Sequence, residues 1–201
     1  MIRNIIFDFG NVLGKVDFEG FKKNILAEVG DKKLLKALLI SNVKEDYELG
    51  LISSKVFLDN VIKLLDYRIT KEKFVIYFNE MLSELAEMKG FLIKLSKSNK
   101  YKLFLLSNTN PLHFNFAKKN FPYIHEHIKN IVLSYKVKDA KPDSAIYLTT
   151  LNKYHLKPEE SLFIDDLEKN CLTAKRLGMH IIHYKGFKSF KKKFRNMILE
   201  N

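Results

Sequence analysis

Five short apolar runs, none of them alternating with polar residues, limit this chain's fold more than any other feature. They are "NIIFDF" (4–9), "KLFLLS" (102–107), "NIVLS" (130–134), "SLFID" (161–165) and "HIIHY" (180–184). A strand with one face in water alternates apolar and polar side chains. A strand covered by helices on both faces does not. Between the last four runs lie stretches of helical spacing, at roughly 111–120, 143–153 and 168–177, with Pro111, Pro142 and Pro158 marking connections. This rhythm predicts an α/β fold with a parallel, doubly wound sheet.

Residues 15–90 break the rhythm. "FEGFKKNILAEVG" places Phe18, Phe21, Ile25, Leu26 and Val29 on one helical face. "SSKVFLDNVIKLLD" and "TKEKFVIYFNEMLSELAEMK" repeat at the same spacing and start at the caps Ser53 and Thr70. No strand is expected here. A helical insertion at the carboxyl end of the first strand is either decoration or a lid, and its position favours a lid. The expected division is a core of residues 1–14 and 91–201 and a cap of residues 15–90. The tail "KGFKSFKKKFRNMILEN" reads as a basic amphipathic helix. It has the make-up of a membrane- or nucleic-acid-binding segment, but a solvated terminal helix is the simpler expectation.

With 46% apolar residues and 16 Phe in 201 positions, the chain can bury a sizeable core. The net charge of +12 suits either an anionic partner or mere composition. Arg occurs only at 3, 68, 176 and 195, so the charge is nearly all Lys and is spread along the chain. That favours composition, and nucleic acid is not expected as a partner. No apolar stretch reaches the length of a membrane span. The first residues lack a secretory pattern, and the single Cys171 can form no internal disulfide. The expectation is a cytoplasmic protein whose oligomeric state is open.

In an open α/β sheet, ligands bind beyond the carboxyl ends of the strands. There the first run reaches Asp8, the second Ser107-Asn108-Thr109-Asn110 and the fourth Asp165-Asp166, while Lys141-Pro142 precedes the helix after the third. Each has an ordinary reading as a turn acid, a helix cap or a helix-start residue. Their convergence on one edge does not. Carboxylates gathered at one point repel unless a cation joins them, and hard oxygen ligands suit Mg²⁺. A Ser hydroxyl and backbone N–H groups at a helix start hold phosphate oxygens, and a Lys adds a point charge. An Asp beside the cation could then attack phosphorus.

In this order the motifs resemble those of the haloacid dehalogenase-like hydrolase superfamily. "FDFGNVL" is similar to its first motif, "LLSNTN" to its second, Lys141-Pro142 to its third and "FIDDLEKN" to its fourth. The helical insertion stands where the family carries a cap. "YELGLIS" (47–53) resembles a cap segment of the subgroup with bacterial α-D-glucose-1-phosphate phosphatase and the phosphatase domain of soluble epoxide hydrolase. The resemblance implies a Rossmann-like sheet of five core strands in the order 3-2-1-4-5 with an inserted helical cap. It implies a Mg²⁺-dependent phosphatase acting through an aspartyl-phosphate on a small phosphorylated metabolite, a sugar phosphate being the expected class. Asp8 would be nucleophile and metal ligand, the Gly10 carbonyl a second ligand, and Asp166 a third. Ser107 and Asn108 would bind the phosphoryl group, and Lys141 would offset charge on nucleophile and phosphate. Asp165 would support the ligands from behind and Asn170 would orient the site.

Gly10 departs from the family, whose phosphatases mostly carry an Asp there as general acid and base. General acid–base help is typically worth about 10²–10⁴-fold. A good leaving group, such as an anomeric oxygen, could make the loss tolerable, and the glucose-1-phosphate phosphatase subgroup also resembles this chain in having Gly there. A cap carboxylate could substitute, with Asp17, Asp46 and Glu48 as candidates. Otherwise the protein only binds phosphate. A metal-free 2-haloacid dehalogenase is a further alternative, against which the Asp165-Asp166 pair counts. Asp8 and Asp166 have no basic neighbour in sequence, and Lys141 is expected at the cleft surface, opening a helix.

Overall fold

The structure, a computed structural model, describes residues 1–199. Glu200 and Asn201, the end of the basic tail, lie outside the described residues. A five-stranded parallel sheet holds β1 (Asn4–Phe7), β4 (Lys102–Ser107), β5 (Asn130–Leu133), β6 (Ser161–Asp165) and β7 (His180–His183) in the spatial order β5-β4-β1-β6-β7. Counted as core strands, this is the expected 3-2-1-4-5. The central strand β1 is buried along its whole length. Ile5 and Phe7 join the apolar cluster on one face, with Leu105 and Ile164, while Ile6 joins the cluster on the other, with Phe104 and Phe163. Two covered faces are why these runs do not alternate.

Helices α1 (Phe18–Val29), α2 (Lys32–Ile40), α3 (Val43–Glu48), α4 (Ser54–Leu64) and α5 (Lys71–Glu80) form the insertion. Asp17, Asp31, Ser53 and Thr70 cap four of them through side-chain oxygens, so Ser53 and Thr70 act as expected. The insertion has an aromatic interior. Phe21 meets Phe74 and Phe78 edge-on, and Tyr47 stacks on Phe57 with ring centroids 4.2 Å apart.

The expectation of no strand in this segment is corrected by the structure. β2 (Gly14–Val16) and β3 (Leu82–Glu84) pair antiparallel, with Gly14 opposite Glu84 and Val16 opposite Leu82. Three-residue strands are too short to show a period, and this ribbon is held by pairing across the insertion. The chain therefore leaves for the insertion and returns from it side by side. The expected boundary at residues 90 and 91 falls inside α6 (Ala86–Lys97), which packs on α8 (Pro122–His127).

The remaining helices are α7 (Pro111–Asn120), α9 (Ser134–Val137), α10 (Ser144–Tyr154), α11 (Glu168–Arg176) and α12 (Phe187–Leu199), with a 3₁₀ turn at Pro158–Glu160. α12 is the basic tail helix. It buries Phe190 and Phe194 edge-on against Phe91 of α6 and leaves Lys188, Lys191, Lys192, Lys193 and Arg195 in solvent. Its apolar face is thus already occupied, as expected for a solvated terminal helix. No helix among the described residues is long and apolar enough to cross a membrane.

Candidate active site

The polypeptide turns sharply after β1. The Phe9 carbonyl accepts from the N–H groups of Val12, Leu13 and Gly14, and the Asp8 N–H donates to Ile164 O at 2.9 Å. Asp8 is thereby fixed at the end of the sheet, one residue past the strand. A Cβ at Gly10 would lie 3.7 Å from Asp8 Oδ2 and 3.5 Å from Val16 Cγ2, so a side chain there would start out facing Asp8 without a clash at its Cβ.

Lys141 does not lie at the surface, which corrects that expectation. Its side chain is 1% exposed, with Nζ donating to Asp8 Oδ1 at 2.6 Å, Asp165 Oδ2 at 2.7 Å and Leu106 O at 2.9 Å. Asp8 therefore has a basic partner, brought from 133 residues away by the fold. Lys141 opens no helix either, since the cap of α10 is Asp143. Asn108 holds the Lys141 backbone from both sides, donating from Nδ2 to its carbonyl at 2.8 Å and accepting from its N–H at 2.9 Å. An anion would thus meet Asn108 through its backbone N–H rather than its carboxamide.

The two adjacent carboxylates are unequal. Asp165 is fully buried and accepts from Lys141, from Asn170 Nδ2 at 2.9 and 3.0 Å and from the Leu167 N–H at 2.8 Å. Asp166 is half-exposed, and its carboxylate accepts one hydrogen bond, from Asn11 Nδ2 at 3.0 Å. Its carbonyl accepts from His183 Nε2 at 2.9 Å. Burial pushes the Asp8 carboxyl up to about 7, the Lys141 charge opposing this and the Asp165 charge adding to it. Burial works against the charge on Lys141, but Asp8 and Asp165 outweigh it and raise its pKa, so the ammonium is held.

The donor set suits a hard cation. Oxygens of Asp8, Asp165 and Asp166 lie within 4.8 Å of one another, and Lys141 offsets only part of their charge. Asn170 Oδ1 is buried without a hydrogen-bond partner in the cleft wall, an acceptor still to be satisfied. Ser107 is buried beside these groups, with Oγ making only a 3.4 Å contact to Asn108 O. Gly10 contributes backbone alone.

A cleft of about 490 Å³ lies between this cluster and the insertion. Phe18, Phe21, Phe57, Phe74 and Phe78 make its upper wall apolar, and Ser41, Lys44, Glu45 and Glu48 add polar groups. Of the three carboxylates considered as substitutes for the missing acid, only Glu48 lines the cleft, paired to Lys44 at 2.8 Å. Asp17 is committed to the cap of α1, accepting from the Gly20 N–H at 2.9 Å, and Asp46 is not on the wall.

Two contacts fasten the insertion to the first turn of α7. His113 Nε2 donates to Phe78 O at 2.8 Å, Nδ1 accepting from Asn110, and the ring stacks 4.0 Å from that of Phe78. Tyr47 Oη accepts from the Leu112 N–H at 3.3 Å. Asn11 and His113 both line the cleft and were not foreseen. Asn11 reads as part of a Gly-Asn turn, and its hydrogen bonds to Asp166 and to the Val16 N–H are set only by the fold.

Residues 2–178 match the model of the haloacid dehalogenase-like hydrolases. The chain is similar to D-ribitol-5-phosphate phosphatase of Bacteroides thetaiotaomicron, with 30% identity over 192 residues and 89% of each chain covered. It is also similar to the phosphorylated carbohydrates phosphatase of Thermotoga maritima, with 26% identity over 89% of this chain and 83% of that one. A crystal structure of a haloacid dehalogenase family enzyme of B. thetaiotaomicron, in complex with magnesium and inorganic phosphate, superposes with a TM-score of 0.84. It is 29% identical, covering 92% of this chain and 95% of that one.

Proposed function

The chain belongs to the haloacid dehalogenase-like hydrolase family, and from that premise we propose that it is a Mg²⁺-dependent phosphatase of a small phosphorylated sugar or polyol. The observation that carries the reading is the Asp8–Lys141–Asp165 cluster at the strand ends, with Asp166 beside it. The relatives named for ribitol 5-phosphate and phosphorylated carbohydrates support the substrate class. An upper wall of aromatic rings interrupted by Lys44, Glu45 and Glu48 suits a leaving group with apolar C–H faces and many hydroxyls.

Asp8 attacks phosphorus with a carboxylate oxygen. The ester P–O bond breaks, and its electron pair departs with the leaving oxygen, which takes a proton from water or from the cleft. Water then attacks the aspartyl-phosphate, releasing inorganic phosphate and restoring Asp8. Lys141 holds Asp8 in place and offsets negative charge as it moves towards phosphate, while Ser107 Oγ and the Asn108 N–H bind phosphoryl oxygens. Asp8, the Gly10 carbonyl and Asp166 would hold Mg²⁺, which supplies positive charge to the phosphoryl oxygens. Asp165 and Asn170 fix Lys141 and close the cluster from behind. The cap is read as residues 17–81, between the two strands of the ribbon.

Hydrolysis of an aryl phosphate with and without Mg²⁺, followed by a panel of sugar and polyol phosphates, tests the reading. Activity that needs Mg²⁺ and vanishes in Asp8→Asn is expected. Activity indifferent to both changes defeats it, and phosphate binding without turnover would leave a binding protein of the same fold.

A further inference from the structure

Asn11 belongs neither to the sheet nor to the groups just named, yet its carboxamide makes two bonds in different directions. Oδ1 accepts from the Val16 N–H at 3.1 Å, and Nδ2 donates to Asp166 Oδ2 at 3.0 Å. The partners fix the orientation of the amide, since a backbone N–H can only donate and an ionised carboxylate can only accept. The backbone of Asn11 is left-handed, with φ 52°, a region in which Asn is favoured over most side chains. Among the described residues, this is the sole hydrogen bond to the Asp166 carboxylate, whereas Asp165 has three donor residues. Val16 pairs with Leu82 across the ribbon, and the next N–H, that of Asp17, donates to Met81 O at 2.7 Å.

The geometry points to Asn11 as a positioning residue that ties the Asp166 carboxylate to the ribbon carrying the cap. The inference rests on the reading of Asp8 and Asp166 as Mg²⁺ ligands. One planar group fixes both Asp166 and Val16. A cation that settles Asp166 therefore also settles β2, and a displaced β2 releases Asp166. By linkage the effect is reciprocal.

The test titrates MgCl₂ into the full chain and into Asn11→Gly by calorimetry, and follows amide hydrogen exchange with and without Mg²⁺. Asn11 is exposed and glycine adopts its φ freely, so the variant should keep the fold, and a melt without Mg²⁺ checks this. Its Mg²⁺ affinity should fall about 10-fold or more, the usual cost of removing a partner that orients a ligand. In the parent, Mg²⁺ should slow exchange at Val16 and Asp17. In the variant those amides should no longer respond, while Leu167, bonded to Asp165, still does. Equal Mg²⁺ affinity in both proteins, or a ribbon response that survives the substitution, overturns the inference alone. A parent that binds no Mg²⁺ overturns the metal reading and the inference with it.

Discussion

Lys141 Nζ lies 2.6 Å from Asp8 Oδ1, and the same ammonium lies 2.7 Å from Asp165 Oδ2. One buried cation thus serves two carboxylates, so Lys141→Ala removes more than the charge proposed to assist phosphoryl transfer. It leaves Asp8 and Asp165 facing each other in a buried site, and breaking such a pair costs about 3–5 kcal/mol. Urea unfolding should show that loss, and Mg²⁺ should recover part of it by supplying positive charge. Turnover should fall about 10²–10³-fold, comparable to removing a preorganised donor. A fully stable variant would mean that the carboxylates protonate or rearrange without cost.

Gly10→Asp should accelerate the enzyme. The new Cβ meets only ordinary contacts, with Asp8 Oδ2 at 3.7 Å, so a side chain can start from this position, where the proposed mechanism lacks acid–base help. In the proposed mechanism, breakdown of the aspartyl-phosphate needs an activated water whatever the leaving group was. An aryl phosphate should therefore give a burst of about one product per site and a slow steady rate. The substitution should raise the steady rate by up to about 10²-fold and shrink the burst. A linear time course that Gly10→Asp leaves unchanged would place the base elsewhere, with Glu48 the carboxylate to replace next.

Asp8, Ser107-Asn108 and Asp165-Asp166 were legible because each ends or directly follows a run apolar on both faces, and such runs locate the sheet and its carboxyl edge together; Lys141-Pro142 was placed by the helix it precedes. The cap helices were legible from the spacing of Phe21, Ile25 and Val29 and from the caps Ser53 and Thr70. The burial of Lys141 was not, because it depends on Asp8 and Asp165 arriving from other strands. The ribbon escaped for a similar reason, since three residues show no period and β2 is defined by a partner beyond the cap. The choice among Asp17, Asp46 and Glu48 needed the cleft itself.

His113 gives the cap a pH dependence. Burial pushes its imidazole down to about 4, and Nε2 donates to Phe78 O in the cap. Between about pH 6.5, the unperturbed value, and pH 4 the unfolded chain binds a proton here that the folded chain does not. Stability from this group is complete above that window and is lost as pH falls through it, by about 3 kcal/mol in all. Asp8, with its pKa raised to about 7, works in the opposite sense over the same range. The measurement is therefore the difference between parent and His113→Gln in urea midpoints from pH 7.5 to 5. A difference independent of pH would show that the imidazole titrates normally.

Gly50→Ala should loosen the cap. Gly50 is left-handed, with φ 65°, and a Cβ there would stand 2.1 Å from Tyr135 O. Strain of this kind costs about 1–3 kcal/mol. A lowered melting temperature is expected, with faster amide exchange in α3. A variant that melts with the parent would show that the two backbones separate freely.

The paired strands β2 and β3 put the two ends of the cap next to each other. Seen from the sheet, five helices amount to a single loop that departs at Val16 and is back at Leu82. Replacing that loop with another of different length leaves the order of the core strands untouched, so, on the proposed division, substrate preference and the phosphoryl chemistry can change independently. The freedom has a boundary condition. Phe78 lies against His113 and Tyr47 against the Leu112 N–H. A transplanted cap must therefore bring its own ring and its own hydroxyl to the first turn of α7, or leave an apolar seam open to water.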